Sequence, residues 1–406
     1  MIKIIENGGI TAPQGFKASG VAAGIRKKDK KDVAIVYSEV LAQGAAAYTI
    51  NKFKAAPLQV TMENLSDGKL QAIVINSGVA NACMGQQGLE DAKSMAEITA
   101  EALGMEAKNV AVASTGVIGV PLPMDIVKKG ILDAVSKLSP SGGLCAAQAI
   151  MTTDLVKKEI ACQLEIEGKT ITIGAMAKGS GMIHPNMATM LAFITTDANI
   201  SPDCLAQILR DSVQVSYNMI SVDGDTSTND MVAIMANGAA GNKDIQCKGE
   251  AYDIFAQALN TVTRHLCRAI AADGEGATKL LECKVSGADS ESTAKAVAKA
   301  VVCSSLTKAA MFGADANWGR ILCSIGYSNV EVDVEKVDVC FSSARGQINV
   351  CKSGMGVPFS EEKAKDILGE SEITILIELN SGEVYATAWG CDLTYDYVRI
   401  NGEYRS

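Results

Sequence analysis

The sequence predicts a layered α/β (α+β) sandwich, and three observations point there. Segments that alternate like strands and segments with the 3.6-residue helical period are interleaved from one end of the chain to the other. No internal repeat and no low-complexity linker interrupts the 406 residues, which argues against a string of beads. Hydrophobic residues make up 48% of the chain but aromatic ones only 4%, so the core must be built from Ala, Val, Ile, Leu and Met, as in many compact α/β proteins. The length admits one large domain or two to three of about 100–200 residues.

The opening, to about Arg26, carries Gly8-Gly9, Pro13-Gln-Gly15 and Gly20 among apolar residues and reads as turns joining short strands. Val33–Tyr37 and Ala45–Ile50 are strand-like, and Gln71–Ile75 is a buried strand running into a turn at Asn76-Ser-Gly78. Gly88–Leu103 is amphipathic, with Leu89, Ala92, Met95, Ala96, Ala102 and Leu103 on one stripe and Gly104 as its stop. Val110–Ser114 returns to strand, and Met124–Leu138 and Gly143–Met151 are helical. Glu159–Ile166 and Thr170–Ala175 form a hairpin turning at Glu167-Gly-Lys169 and delivering the chain to Lys178. Ser201-Pro202 is a good N-cap and first-turn pair for a helix to about Met219. Glu250–Ala272 is the longest helix, stopped by Asp273-Gly274. Ser290–Val302 and Ser360–Leu368 are helical, while Asn329–Cys340, Gln347–Cys351 and Ile373–Trp389 alternate like strands, the last turning at Asn380-Ser-Gly382.

A formal charge of −9 argues against nucleic-acid binding, which needs clustered Lys and Arg. The one dense basic run, Arg26-Lys-Lys-Asp-Lys-Lys31, reads as a solvated loop. Twelve cysteines are scattered without a Cys-x-x-Cys pair and read as reduced, mostly buried small hydrophobes of a cytoplasmic protein. Met1–Glu6 lacks the apolar core of a signal peptide, and no apolar stretch approaches the roughly 20 residues of a membrane helix. G-x-S-x-G, P-loop and G-x-G-x-x-G signatures are absent. Two histidines, His184 and His265, leave little material for a metal cage or a Ser-His-Asp triad, and His265 reads as structural. Asp223–Asp230 has carboxylates at calcium-loop spacing. It fails the EF-hand pattern because Thr228 stands at the Gly position and Ile234 at that of the bidentate Glu, so it reads as a polar loop able to line a site.

Lys178-Gly-Ser-Gly-Met-Ile-His-Pro-Asn-Met-Ala-Thr-Met-Leu191 runs from an irregular loop into the buried strand Met190–Thr196. Gly179 and Gly181 permit unusual backbone angles there, and Pro185 fixes its own φ and biases His184. Taken alone, Thr189 would be the first residue of a strand. The stretch, however, resembles the self-cleavage segment of the ornithine acetyltransferase (glutamate N-acetyltransferase) family of arginine biosynthesis, whose members cut themselves before a Thr. The resemblance continues through Asn76-Ser-Gly78, Ser114–Gly119, Asp273–Lys279, Asn317–Arg320 and Asn401–Ser406.

The resemblance implies cleavage between Ala188 and Thr189, giving an α chain 1–188 and a β chain 189–406 that jointly build the sandwich, two of each per assembly. It implies ping-pong transfer of the acetyl group of N-acetylornithine to glutamate through Thr189, without metal or organic cofactor. Acetyl-CoA as a second donor is left open by residue types, and a hydrolase resembling the related aminopeptidases is the alternative. A Thr nucleophile with no histidine at hand needs its own α-amine as base, which exists only after cleavage. That amine has a reference pKa of about 7.7–8.0, and Lys178 is a cation able to lower it. By the same resemblance Thr115 and Gly116 form the oxyanion hole. Thr152 contacts substrate, although Thr153 beside it leaves the assignment open; Glu275 faces a substrate amino group; and Asn401 and Ser406 lie near the head group. One departure is Val79, where the family is expected to carry Asn, which removes a local side-chain hydrogen bond.

Overall fold

The computed structural model describes residues 2–26, 29–184 and 190–403. Along the chain the strands are Lys3–Ile5 (β1), Phe16–Val21 (β2), Val33–Tyr48 (β3), Lys69–Val79 (β4), Val110–Val117 (β5), Lys158–Ile166 (β6), Lys169–Lys178 (β7), Leu191–Thr196 (β8), Ile220–Ser221 (β9), Met231–Ala236 (β10), Leu280–Ala288 (β11), Asp338–Ser343 (β12), Gly346–Lys352 (β13), Met355–Gly356 (β14), Glu372–Glu378 (β15) and Val384–Cys391 (β16). Among the described residues they form two sheets. The larger runs β1-β6-β7-β8-β10-β3-β4-β5, with β2 on β3; the smaller runs β14-β13-β12-β15-β11-β16-β9.

The larger sheet folds over on itself because β3 is long and irregular. Its first half pairs with β2 and β4, and its second half with β10. Ala34, Val36, Ile73 and Ile75 from one half therefore meet Met176, Leu191, Phe193 and Met231 from the other in a single apolar cluster. The outer face of β3-β4-β5 packs on the Gly85–Leu103 and Met124–Ser136 helices. On the far side, Ala175, Ala177, Ala192 and Ile194 join Phe255, Leu259, Val262 and Leu266 of the Glu250–Ala272 helix, which also packs against Leu281 and Cys283 of β11. The order is helices, folded sheet, helices, second sheet, the layered sandwich that the sequence predicts.

Strand β8 sits in the middle, antiparallel to β7 and parallel to β10. All six of its residues are buried, which is why its sequence is a continuous apolar and β-branched run rather than an alternation. The β6–β7 hairpin turns through Glu167 (φ 49°) and Gly168 (φ 75°), a two-residue turn whose left-handed angles suit the twist of the flanking strands. The Gly85–Leu103 helix stops on left-handed Gly104 (φ 69°), as expected. Ser201 makes no side-chain capping bond, and the helix from Pro202 to Gln214 starts on the fixed φ of its proline, giving way to a 3₁₀ turn at Tyr217–Met219.

Three expectations need correction. Asn76-Ser-Gly78 is not a turn but the last part of β4, paired in parallel with Ser114-Thr-Gly116 of β5. Of Asn329–Cys340 only Asp338 onward is strand, because Val330 and Val332 rest on the core without a pairing partner. The halves of Ile373–Trp389 do not form a hairpin: β11 is inserted between β15 and β16. All twelve cysteines are free thiols, six of them buried, and among the described residues no helix is long and apolar enough to cross a membrane.

Phe193 is fully buried in the folded sheet. Phe193→Ala is expected to cost about 3–5 kcal/mol, read as a lower urea midpoint; an unchanged midpoint would place the packing elsewhere.

Candidate active site

Because Lys178 pairs with Leu191, the loop between β7 and β8 leaves and re-enters the sheet at one point. Met231 of β10 also pairs with Leu191, and its N–H donates to the Met190 carbonyl at 3.0 Å. Met190 thus enters the sheet with the end of β7 on one side and the start of β10 on the other. A cavity opens here. Ala188 and Thr189 lie outside the described residues, as does Ser406; their neighbour Met190 lines the cavity.

Thr115 and Gly116, both on its wall, belong to a backbone held from several sides. Gly116 has φ 135°, and a Cβ there would come within 2.2 Å of the Gly78 carbonyl carbon, so only glycine fits against the neighbouring strand. The Ser114 hydroxyl donates to Asn76 Oδ1 at 2.6 Å, and Asn76 Nδ2 donates to the Val79 carbonyl at 2.8 Å. The bond at Val79 is therefore made by the backbone and does not depend on the side chain there. From the Asp223–Asp230 loop, Asn229 Nδ2 donates to the carbonyls of Ala80 (2.6 Å) and Ser114 (2.9 Å). These buried bonds hold the ends of β4 and β5 rigidly against each other at the cavity wall.

Opposite lies a buried charge cluster. Lys158 Nζ reaches Asp154 Oδ1 at 2.7 Å and Asp273 Oδ2 at 2.6 Å, and Asp154 also accepts from the Gly179 N–H at 2.7 Å. Burial works to raise the Asp154 carboxyl, but Lys178 and Lys158 outweigh it and hold the group below the ordinary carboxylate range. Lys178 is itself buried: desolvation pushes its ammonium below the usual lysine range and Lys158 adds to that, while Asp154, Asp230 and Glu275 pull it back. Lys178 is thus buried in the cavity wall rather than a surface residue capping the hairpin.

The loop glycines act through space, not through backbone angle. Neither Gly179 nor Gly181 has a positive φ; that falls on Met182 (φ 55°). A Cβ on Gly181 would lie 2.3 Å from the Glu275 carboxyl carbon, so this glycine lets the carboxylate close over the loop. Asp223 accepts from the N–H groups of Met182 (2.6 Å) and Ile183 (2.9 Å). His184 Nδ1 lies 3.1 Å from Ser221 Oγ, and its carbonyl accepts from Thr226 Oγ1 at 2.8 Å. His265 is exposed on its helix.

Thr115, Gly116, Lys178, Glu275, Asn401 and both Thr152 and Thr153 line one cavity. Thr152 is tied down at both ends of its peptide unit: its N–H donates to Asp154 Oδ2 at 2.9 Å and its carbonyl accepts from Arg26 Nη2 at 2.8 Å. Asn401 donates to Glu275 Oε2 at 2.8 Å, coupling the C-terminal helix to the acidic residue. The Asp223–Asp230 loop, which the sequence marks as able to line a site, completes the wall through Ser227–Asp230; sequence reasoning missed the Asp154–Lys158–Asp273 cluster. Among the described residues no group of His, Cys, Asp and Glu could hold a metal ion.

Comparison with known proteins gives a consistent result. The model of the ArgJ family matches residues 17–406. A relative from Caldanaerobacter subterraneus subsp. tengcongensis, "Arginine biosynthesis bifunctional protein ArgJ", is 54% identical over 402 residues, covering 99% of this chain and 100% of its own. One of the same name from Symbiobacterium thermophilum is 54% identical over 401 residues, with 98% and 99% covered. A solved chain of ornithine acetyltransferase complexed with ornithine, from Mycobacterium tuberculosis, is 42% identical, covering 46% of this chain and 100% of that chain with a TM-score of 0.44.

One prediction concerns His184, which burial and then the charge of Lys299 push down to about 4 while Asp225 opposes them. Since the unfolded value is about 6.5, folding favours the neutral ring. Its contribution is complete above about pH 6.5 and is lost as pH falls towards 4. Of the two histidines, the one removed by His184→Gln should titrate near 4 in an NMR pH series; a midpoint at the ordinary value would place its ring in solvent.

Proposed function

The chain belongs to the ArgJ family, and on that premise we propose that it moves the acetyl group of N2-acetylornithine to glutamate through an acetyl-Thr189 ester, as an acyltransferase of arginine biosynthesis. The observation that carries this reading is the convergence of Thr115, Gly116, Lys178 and Glu275 on one cavity beside Met190, although they come from three distant parts of the chain.

The precursor first cuts itself. The Thr189 hydroxyl adds to the Ala188 carbonyl, the peptide C–N bond breaks as nitrogen takes the hydroxyl proton, and water opens the resulting ester. This leaves the Ala188 carboxylate on an α chain 1–188 and a free α-amine on a β chain 189–406. In the catalytic cycle that amine takes the hydroxyl proton while Thr189 attacks the acetyl carbonyl, and returns it to the departing nitrogen of ornithine. Glutamate then attacks the ester and leaves as N-acetylglutamate. Thr115 and Gly116 serve the oxyanion in both reactions. Glu275, half-buried over Gly181, pairs with the cationic ornithine chain, and Thr152, Asn401 and Ser406 hold the rest of the substrate.

The name "bifunctional" borne by relatives supports a second donor, which we take to be acetyl-CoA. An assay with acetyl-CoA and glutamate alone decides that. The two chains stay paired because β7 and β8 are adjacent in one sheet; two of each chain per assembly, a cytoplasmic location and no nucleic-acid or membrane partner complete the proposal.

Two experiments test it. Purified protein should give two fragments on a denaturing gel, the second beginning at Thr189, whereas Thr189→Ala should give one; a mutant that still splits there was cut by another protease. Thr115→Val removes one oxyanion donor at nearly constant volume and should lower turnover by about 10²–10³ and leave part of the precursor uncut. Normal turnover in fully cut Thr115→Val would put the oxyanion hole elsewhere.

A further inference from the structure

The strand register brings a carboxylate to the point where the second chain begins. Asp230 immediately precedes β10, and Met231 pairs with Leu191, so Asp230 is level with Met190 on the side of β8 opposite β7. Lys178 ends β7 on the other side. Both residues line the cavity. Asp230 is 3% exposed, and among the described residues its Oδ2 has no hydrogen-bond partner.

Its main chain is not free to turn away. The Asp230 carbonyl accepts from the Thr49 N–H at 3.0 Å, the preceding Asn229 is bonded to Ala80 and Ser114, and the following Met231 is bonded to Met190. A buried, rigidly mounted carboxyl oxygen with no partner is costly unless another group completes it.

We propose that Asp230 is the carboxylate that receives the α-amine of Thr189 once the chain has been cut, acting against Lys178 from the opposite side of β8. This rests on the self-cleavage reading above. The chain end that the cut creates is bonded directly to Met190, the residue with which Asp230 is level.

The charge logic follows. In the uncut chain no amine exists, and burial raises the Asp230 carboxyl well above its ordinary range, against the pull of Ser227, Lys178 and the Met190 backbone. A neighbouring ammonium favours its ionised form. When Thr189 Oγ attacks the acetyl carbonyl, its proton passes to the amine, and the ammonium so formed faces the Asp230 carboxylate. The proton leaves again on the ornithine nitrogen as the acetyl C–N bond breaks. The other charges facing this pair are Lys178, with Asp154, Lys158 and Glu275 behind it. Lys178 lowers the amine's proton affinity and Asp230 raises it, and the balance keeps the amine able both to take the proton and to return it.

Asp230→Asn tests this, because the amide has nearly the shape of the protonated acid. Transfer requires the neutral amine, so kcat/KM rises with pH through the amine's pKa. Losing a close opposite charge lowers that pKa by about 1–3 units. The variant should be cut at Thr189 like the wild type, lose at least about tenfold in kcat, and show its acidic limb moved to lower pH. Asp230→Ser, assayed in parallel, should shift the limb the same way if the amide variant is insoluble. A processed variant whose limb does not move overturns the role of Asp230, and so does a variant that stays uncut, since the carboxylate has no part before the amine exists. A wild-type chain that is never cut overturns instead the reading on which the inference rests.

Discussion

The structure depends on the pairing of one short strand on both of its edges. Strand β8 is antiparallel to β7, parallel to β10 and buried on both faces. If the bond before Thr189 is cut, β8 becomes the first strand of a separate chain, and only its hydrogen bonds and packing hold its start in place. A frayed terminus could not present a nucleophile. The central position of β8, with apolar clusters above and below it, is what makes a chain end inside a protein tolerable.

The polar architecture is arranged around that same point. On the β7 side, the Lys158 ammonium joins Asp154 and Asp273, and these acids also accept from the backbone of Gly179 and of Leu155 and Val156. On the β10 side, Asn229 ties its loop to the ends of β4 and β5. Buried charges are stable only when paired, and removing one partner is far more costly than the pair is worth. The cluster therefore acts as a mould for the loop, while Lys178 and Asp230 face the interior of the cavity from opposite sides of β8.

Much of this was legible in the sequence, and the remainder was hidden for identifiable reasons. The Glu250–Ala272 helix was read to the residue because one amphipathic stripe is bounded by a Gly before it and Asp-Gly after it. The strand β11 was passed over although Leu281, Cys283 and Val285 alternate with Glu282, Lys284 and Ser286, and without it β15 and β16 looked like a hairpin. Asn76-Ser-Gly78 consists of turn-forming residue types, yet Asn76 is buried and bonded to Ser114 within paired strands. Thr115, Lys178 and Glu275 were reached by resemblance, not by any local pattern. The Asp154–Lys158–Asp273 cluster has no local signal, since Asp273 is 115 positions from Lys158; Asp230 lies in the loop marked as able to line a site, but only the sheet register brings it beside the start of β8.

The central claim is that a covalent acetyl group rests on Thr189 between the two half-reactions. Intact-mass measurement after mixing the enzyme with N2-acetylornithine in the absence of glutamate tests it most directly. The account predicts two chains, with the 189–406 chain alone heavier by one acetyl group, placed on its first residue by fragmentation and discharged when glutamate is added. A chain that turns over substrate but carries no acetyl group, or carries it on any other residue, would contradict it.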